Sequence, residues 1–368
     1  MSKIYFPNLN GLRIIAAFLV VIHHVEQFKK IFQRPNYFEN PAISLFGKIG
    51  VILFFVLSGF LITYLLLKEK EQTKTISIID FYKRRILRIW PLYFLIILIA
   101  FFILPQIDFF DLGNLSNQLS ENKEIKLLLF VFFLPNLALG IFPPIPYASQ
   151  SWSIGYEEQF YFFWPWLVKL KNKAVNFLYA FLIIYILSKL LVFTVFKDIL
   201  IEKNLFIKIQ LLFDFPGFES ITIGGILAYF AVNKPFSITF LFRKDTQVFT
   251  YLTLGFLMLL GIKLPLFNNL LYASLFAIII ANLALNKNNI LNLENKFFDY
   301  TGKVSYGFYM YHSIAIVFVL KTLLYFKIEN IFLEYLLSTI LTLILSIISF
   351  EFYEKYFIKM KIKFSRLK

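Results

Sequence analysis

The sequence predicts an all-α polytopic membrane protein of about ten transmembrane helices, plus one short re-entrant or broken segment, with both termini cytoplasmic. Three observations carry that prediction. Of 368 residues, 59% are hydrophobic and only 16% charged, whereas soluble domains run at roughly 45–50% apolar and about 25% charged. Apolar runs of about 20 residues, the length that crosses a bilayer, recur from end to end. Lys and Arg gather between particular runs rather than spreading evenly. Ordinary soluble folds, disordered tails and collagen-like chains are thereby excluded, and the length leaves no room for an attached soluble domain of useful size.

The runs can be marked off by charges and by Pro and Asn clusters. They cover residues 9–28, 49–67, 89–104, 153–170, 174–193, 209–232, 248–262, 270–285, 304–320 and 334–353. A shorter run, 125–141, is broken at Pro135-Asn136 and suits a re-entrant segment. The most basic stretch, from Lys68 through Arg84, Arg85 and Arg88, separates the second and third runs. Positive-inside sorting puts it in the cytoplasm together with the N-terminus, Lys169, Lys171, Lys173 and a basic tail over 354–368. Residues 1–353 then form the membrane domain. The first run is not a cleavable signal, because no small-residue cleavage site follows it and His23-His24-Val25-Glu26 interrupt its end.

The net charge of +15 could suggest a nucleic-acid partner. In a polytopic membrane protein it is accounted for by the cytoplasmic loops, so no nucleic acid is expected. Zero cysteines exclude disulfides, thiolate metal sites and a cysteine nucleophile, and no metal is expected.

Five segments hold residues that could do chemistry. Arg13 and His24 stand three turns apart on one face of the first helix, at roughly 16 Å. Buried ionisable groups are costly and default to a functional hypothesis, although Arg13 could instead snorkel and His24 could make a structural hydrogen bond. His23 points about 100° away, so the two histidines cannot serve one site equally. Ser58-Gly59 in the second helix suits close helix packing more than catalysis. Arg85 and Arg88, spaced i, i+3, present forks that fit phosphate or simply mark topology, and Pro91 suits a helix start. Glu157 and Glu158 lie among aromatics, where one could orient a histidine or pair with an arginine. His312 lies inside a late span, as a structural hydrogen-bonder or a site residue; Asp214 and Glu219 are read as paired or water-facing.

In that order the segments resemble the acyltransferase 3 family of integral membrane O-acyltransferases. The family pattern of Asp-Gly-Leu-Arg, an apolar run and then His is met by Asn10-Gly11-Leu12-Arg13 and His24. Phe54 to Phe60 reads Phe-Phe-Val-Leu-Ser-Gly-Phe, and Arg84 to Tyr93 supplies the basic motif ending Pro-Leu-Tyr. Trp152 to Tyr161 and Ser305 to His312 supply the remaining two. Asn10 stands for the usual Asp, Ile14 for Gly and Tyr311 for Trp; a neutral Asn10 cannot form an ion pair with Arg13.

The resemblance implies the ten-span core and favours His24 over His23. It implies an acyltransferase of groups other than amino-acyl, without the fused extracytoplasmic esterase-like domain that longer members carry. An acyl group, most often acetyl, would pass from cytoplasmic acyl-CoA as co-substrate to a hydroxyl of an envelope carbohydrate, lipid-linked glycan or other metabolite. For such a transfer His24, whose imidazole titrates near neutral pH, is expected as the general base, with Glu157 orienting or charge-stabilising it. Arg85 and Arg88 bind CoA phosphates, Arg13 lines the thioester route, and His312, Glu158 and Ser58 are secondary site residues. The expected location is the inner or plasma membrane. The rival from another class is a transporter or exporter of a glycan or anion; transporters often show paired broken helices in repeated halves, and one broken segment is evident here.

Overall fold

In the computed structural model, which describes residues 4–170, 174–194, 213 and 215–364, every regular element is helical and no strand occurs among the described residues. The long helices in chain order are α1 (Asn8–Ile31), α2 (Pro41–Thr73) and α3 (Ile78–Leu98). Three short ones follow, α4 (Asn114–Ser120), α5 (Lys123–Val131) and α6 (Pro135–Ile141). Then come α7 (Trp152–Leu170), α8 (Val175–Thr194), α9 (Gly217–Asn233) and α10 (Lys244–Leu259). The last are α11 (Asn268–Leu285), α12 (Lys296–Tyr325), α13 (Ile331–Ser349) and α14 (Lys355–Lys361).

In its described part each of the ten expected runs falls mainly on one of these helices, residues 209–212 and 214 lying outside the described residues, but the count of ten spans is not reproduced. Seven helices among the described residues are long and apolar enough to cross a membrane, eight if a bent pair counts as one span. That pair is α9 with the 3-10 turn Pro235–Phe242, folded through 112°. The 19-residue α7 is long enough, but its carboxylates and aromatics leave it less apolar than a free-standing span. α10 is short at 16 residues. Asp214, Lys171 and Lys173 lie outside the described residues.

α2 is the hub: 72% of its apolar window is buried, against 11% for α8, which faces outward along nearly its whole length. The α2–α9 crossing needs glycines on both sides. A Cβ at Gly59 would lie 2.0 Å from the Ile221 carbonyl oxygen, and one at Gly224 2.1 Å from that of Val56. Close packing thus resides in Gly59, and Ser58 is left to face elsewhere.

α3 begins well before its apolar run. The Ser77 hydroxyl accepts from the Asp80 amide at 3.3 Å, capping the helix. Arg85 and Arg88 are helical, as their i, i+3 spacing implies, Arg84 is helical with them, and Pro91 lies inside the helix instead of at its start. The expected broken segment is present as α5 and α6, separated at residues 132–134 where Phe133 takes φ 57°. Its freed polar groups are covered by α7: Gln159 donates to Phe133 O at 3.2 Å and to Asn136 Oδ1 at 2.9 Å.

Among the described residues the last helix runs on through residue 354 as far as Phe364. A π-helical stretch, Phe350–Glu354, buries Glu354 against Ser349 and passes straight on into α14, which packs against α3. Arg84 donates to Phe364 O at 2.6 Å, tying the end of that long helix to α3. At the opposite end Lys29 pairs with Glu26 at 2.8 Å and Glu334 at 3.1 Å, while Arg34 reaches Glu334 at 2.8 Å. This fully buried cluster fixes the end of α1 that carries His24.

Candidate active site

The five sequence segments, widely separated along the chain, converge on one cavity of about 130 Å³. α1 contributes Arg13, α2 Phe54 and Ser58, α3 Arg85 and Arg88, α7 Ser153, Glu157 and Tyr161, and α12 Ser305, Tyr306 and Tyr309. Arg13, Arg85 and Arg88 also line a second space of about 390 Å³ that widens toward the basic end, where Tyr5, Lys303 and Lys361 form its mouth. Together these make one inner chamber, narrow at its deep end and strongly cationic.

Within it the polar groups are held in specific pairs. Arg13 donates to Asn10 Oδ1 at 2.6 Å, and Asn10 Nδ2 donates to Asp299 at 2.8 Å. Asn10 thus couples Arg13 to a carboxylate on α12 through hydrogen bonds, a role its neutral side chain does fill. Tyr5 also donates to Asp299, and burial beside that carboxylate pushes its phenol up to about 12, so it stays protonated. Tyr161 donates to Glu157 at 2.7 Å and its oxygen also pairs with the Ser58 hydroxyl. The Arg85 guanidinium lies 5.8 Å from the Phe81 ring and 5.9 Å from that of Tyr161. Glu158 turns away toward α3, accepting from Trp90 Nε1 at 3.3 Å.

A separate outer chamber of about 250 Å³ opens at the opposite end. His24, Gln27, Tyr147, Gln150, Trp152 and Ser313 supply its polar and aromatic lining, with Leu and Pro side chains completing it. Tyr147 donates to Phe110 O at 2.5 Å, and burial raises its phenol above the ordinary range, so it too is neutral.

The expected pairing of Glu157 with His24 is not formed: the two line different chambers. His24 takes its orientation from its own helix, its Nδ1 lying 2.8 Å from Val20 O. Its ring neighbour is His312, with centroids 4.7 Å apart. The His23 ring also touches that of His24, with centroids 5.1 Å apart, and packs against Gly47 and Phe38. Between the chambers runs a hydrogen-bonded partition. Tyr309 donates to Gln150 O at 2.8 Å and pairs with Ser153 at 2.9 Å, while Gln150 Nε2 reaches Met310 O at 2.9 Å.

A family profile described as "Acyltransferase domain" matches residues 6–351, nearly the whole chain. The chain belongs to the acyltransferase 3 family. The chain is 26% identical over 376 aligned positions to the O-acetyltransferase OatA of Staphylococcus aureus strain NCTC 8325, covering 96% of this chain and 57% of that one. It is 30% identical over 169 positions to the peptidoglycan O-acetyltransferase OatA of Listeria monocytogenes, covering 45% of this chain and 24% of that one. The chain thus spans about half the length, or less, of these curated relatives. No solved structure matches it.

Several lining residues of the two chambers were not singled out from sequence. Tyr161 follows Glu157 by one turn, a same-face spacing that was available to read. Ser153 and Tyr309 sit inside recognised motifs, next to the residues that drew attention. Gln27, Gln150, Lys303 and Lys361 carry no local signal, because each enters a chamber only through long-range packing.

Proposed function

We propose that this protein is a membrane O-acyltransferase, with acetyl as the acyl group, that moves the group from acyl-CoA at its basic, cytoplasmic end to a hydroxyl of a carbohydrate at the opposite end. One observation carries the reading: a cationic chamber and an uncharged chamber stand back to back across a partition that holds His24. Arg85 and Arg88 are suited to the phosphates of the donor, since guanidinium forks match phosphate bidentately. Arg13, held by Asn10, lines the way inward for the thioester arm. His24 serves as general base, its Nε2 left free by the Val20 hydrogen bond. Glu157, in place of orienting His24, balances the arginines and fixes the Tyr161–Ser58 pair at the deep end.

The names of the relatives point to an envelope glycan such as peptidoglycan as acceptor, and a lipid-linked glycan has the same hydroxyl chemistry. The plasma membrane, with both termini inside, is the setting that matches the charge sorting.

The test is release of free CoA thiol from acetyl-CoA by the full chain in lipid nanodiscs, with N-acetylglucosamine oligosaccharides as acceptor. His24→Ala is expected to lose about 10²–10⁴ in kcat, the span of a general base, and to keep its affinity for acetyl-CoA. Uptake of labelled glycan without thiol release would instead support a transporter.

A further inference from the structure

All three histidines of the chain lie in one row. The His24 ring centroid is 4.7 Å from that of His312 and 5.1 Å from that of His23. Each Nδ1 lies against a backbone carbonyl: His24 on Val20 at 2.8 Å, His312 on Tyr309 at 2.5 Å and His23 on Ile43 at 3.1 Å. A carbonyl only accepts, so each Nδ1 carries the proton and each Nε2 keeps a lone pair.

For His312 that lone pair is conspicuous. The residue is completely buried, and its Nε2 has no hydrogen-bond partner. Buried polar atoms are seldom left unpaired without a use. His312 also has a telling place on α12: Tyr309, one turn before it, lines the inner chamber, and Ser313, the next residue, lines the outer one. His312 therefore stands in the wall between them, beside His24.

Resting on the acyl-transfer reading, we infer that His24 and His312 form a two-imidazole proton relay across the partition. The acceptor O–H bond breaks, its proton going to His24 Nε2, while the oxygen pair forms the new bond to the acyl carbon. The C–S bond breaks with its electron pair on sulfur. The proton passes from His24 to His312 Nε2 and then to the thiolate, which leaves as the free thiol. Both imidazoles end neutral, and no other reactant is consumed. The relay answers a geometric need: the proton is taken up on the acceptor's side and delivered on the donor's. His23, with its Nδ1 on the Ile43 carbonyl and its ring packed on Phe38 and Gly47, lines neither chamber and takes no part.

The test uses the same nanodisc assay with acetyl-CoA and N-acetylglucosamine oligosaccharides. His312→Gln keeps a hydrogen-bonding side chain of similar reach but cannot carry a proton. Its kcat is expected to fall at least about tenfold, with KM for acetyl-CoA within about twofold of the parent. His312→Ala is expected to regain rate when free imidazole is added, which a purely structural role would not produce. His23→Gln is expected to stay within about twofold of the parent. Full kcat in His312→Gln, or a His312→Ala variant indifferent to imidazole, would overturn the relay while leaving the acyltransferase reading intact. Absence of thiol release from the parent protein, by contrast, would overturn that reading itself.

Discussion

The chamber at the basic end is lined by Arg13, Arg85, Arg88, Lys303 and Lys361, whereas the chamber at the opposite end has no Asp, Glu, Lys or Arg in its wall among the described residues. They share a partition a few side chains thick, built from Gln150, Ser153, Tyr309 and the two histidines. The difference teaches what each can hold. Fixed guanidinium forks in a partly dry cleft favour a polyanion such as a pyrophosphate. Amides, hydroxyls and an indole face suit an uncharged ligand with many hydroxyls, to which they offer hydrogen bonds without a charge to desolvate.

If the contrast is functional, damage on one side should register for one substrate only. The largest effect is expected from Arg85→Ala and Arg88→Ala. Each removes a charge-assisted contact of about 1.5–3 kcal/mol, so KM for acetyl-CoA rises roughly 10- to 100-fold while KM for the glycan holds. The two losses should not add, because the side chains lie one turn apart on the same helix. Initial-rate kinetics with each substrate varied in turn would read the split; equal changes in both KM values would erase the distinction. Gln27→Ala, on the other wall, should raise only the glycan KM, by about two- to tenfold, the worth of one neutral hydrogen bond of roughly 0.5–1.5 kcal/mol. The gentlest probe is salt. Raising ionic strength from about 0.05 to 0.5 M should weaken donor binding a few-fold through screening at the exposed lysines, with the glycan KM unmoved. A glycan KM as salt-sensitive as that of the donor would place charge where none has been found.

Much of this was legible in the chain itself. In their described parts the ten apolar runs fall mainly on helices because hydropathy reports directly what a bilayer selects. Their ends were less legible. Hydropathy marks where α3 becomes apolar, but the helix starts at its Ser77 cap, so the i, i+3 spacing of Arg85 and Arg88 is helical as expected while Pro91 is mid-helix and not at a helix start. The π-helical stretch at Phe350–Glu354 draws Glu354 inward, and no composition signal distinguishes that carboxylate from the basic residues after it. Of the site residues, Arg13, Ser58, Arg85, Arg88 and Glu157 do meet in one cavity. The partnership of Glu157 with His24 does not survive, since two residues on different helices can be matched in chemistry and still face different spaces.

What the sequence by itself determined is the class of solvent, the helical architecture and the set of polar residues that a membrane interior would not tolerate idly. Those follow from local composition, which each segment carries alone. Only the tertiary structure decided that these residues divide between two chambers, that Asn10 ties Arg13 to Asp299, and that His312 rather than Glu157 stands beside His24. Such pairings depend on how helices cross and rotate against one another. At the α2–α9 crossing that is set by glycines which let two backbones touch, a property of both helices together and of neither alone.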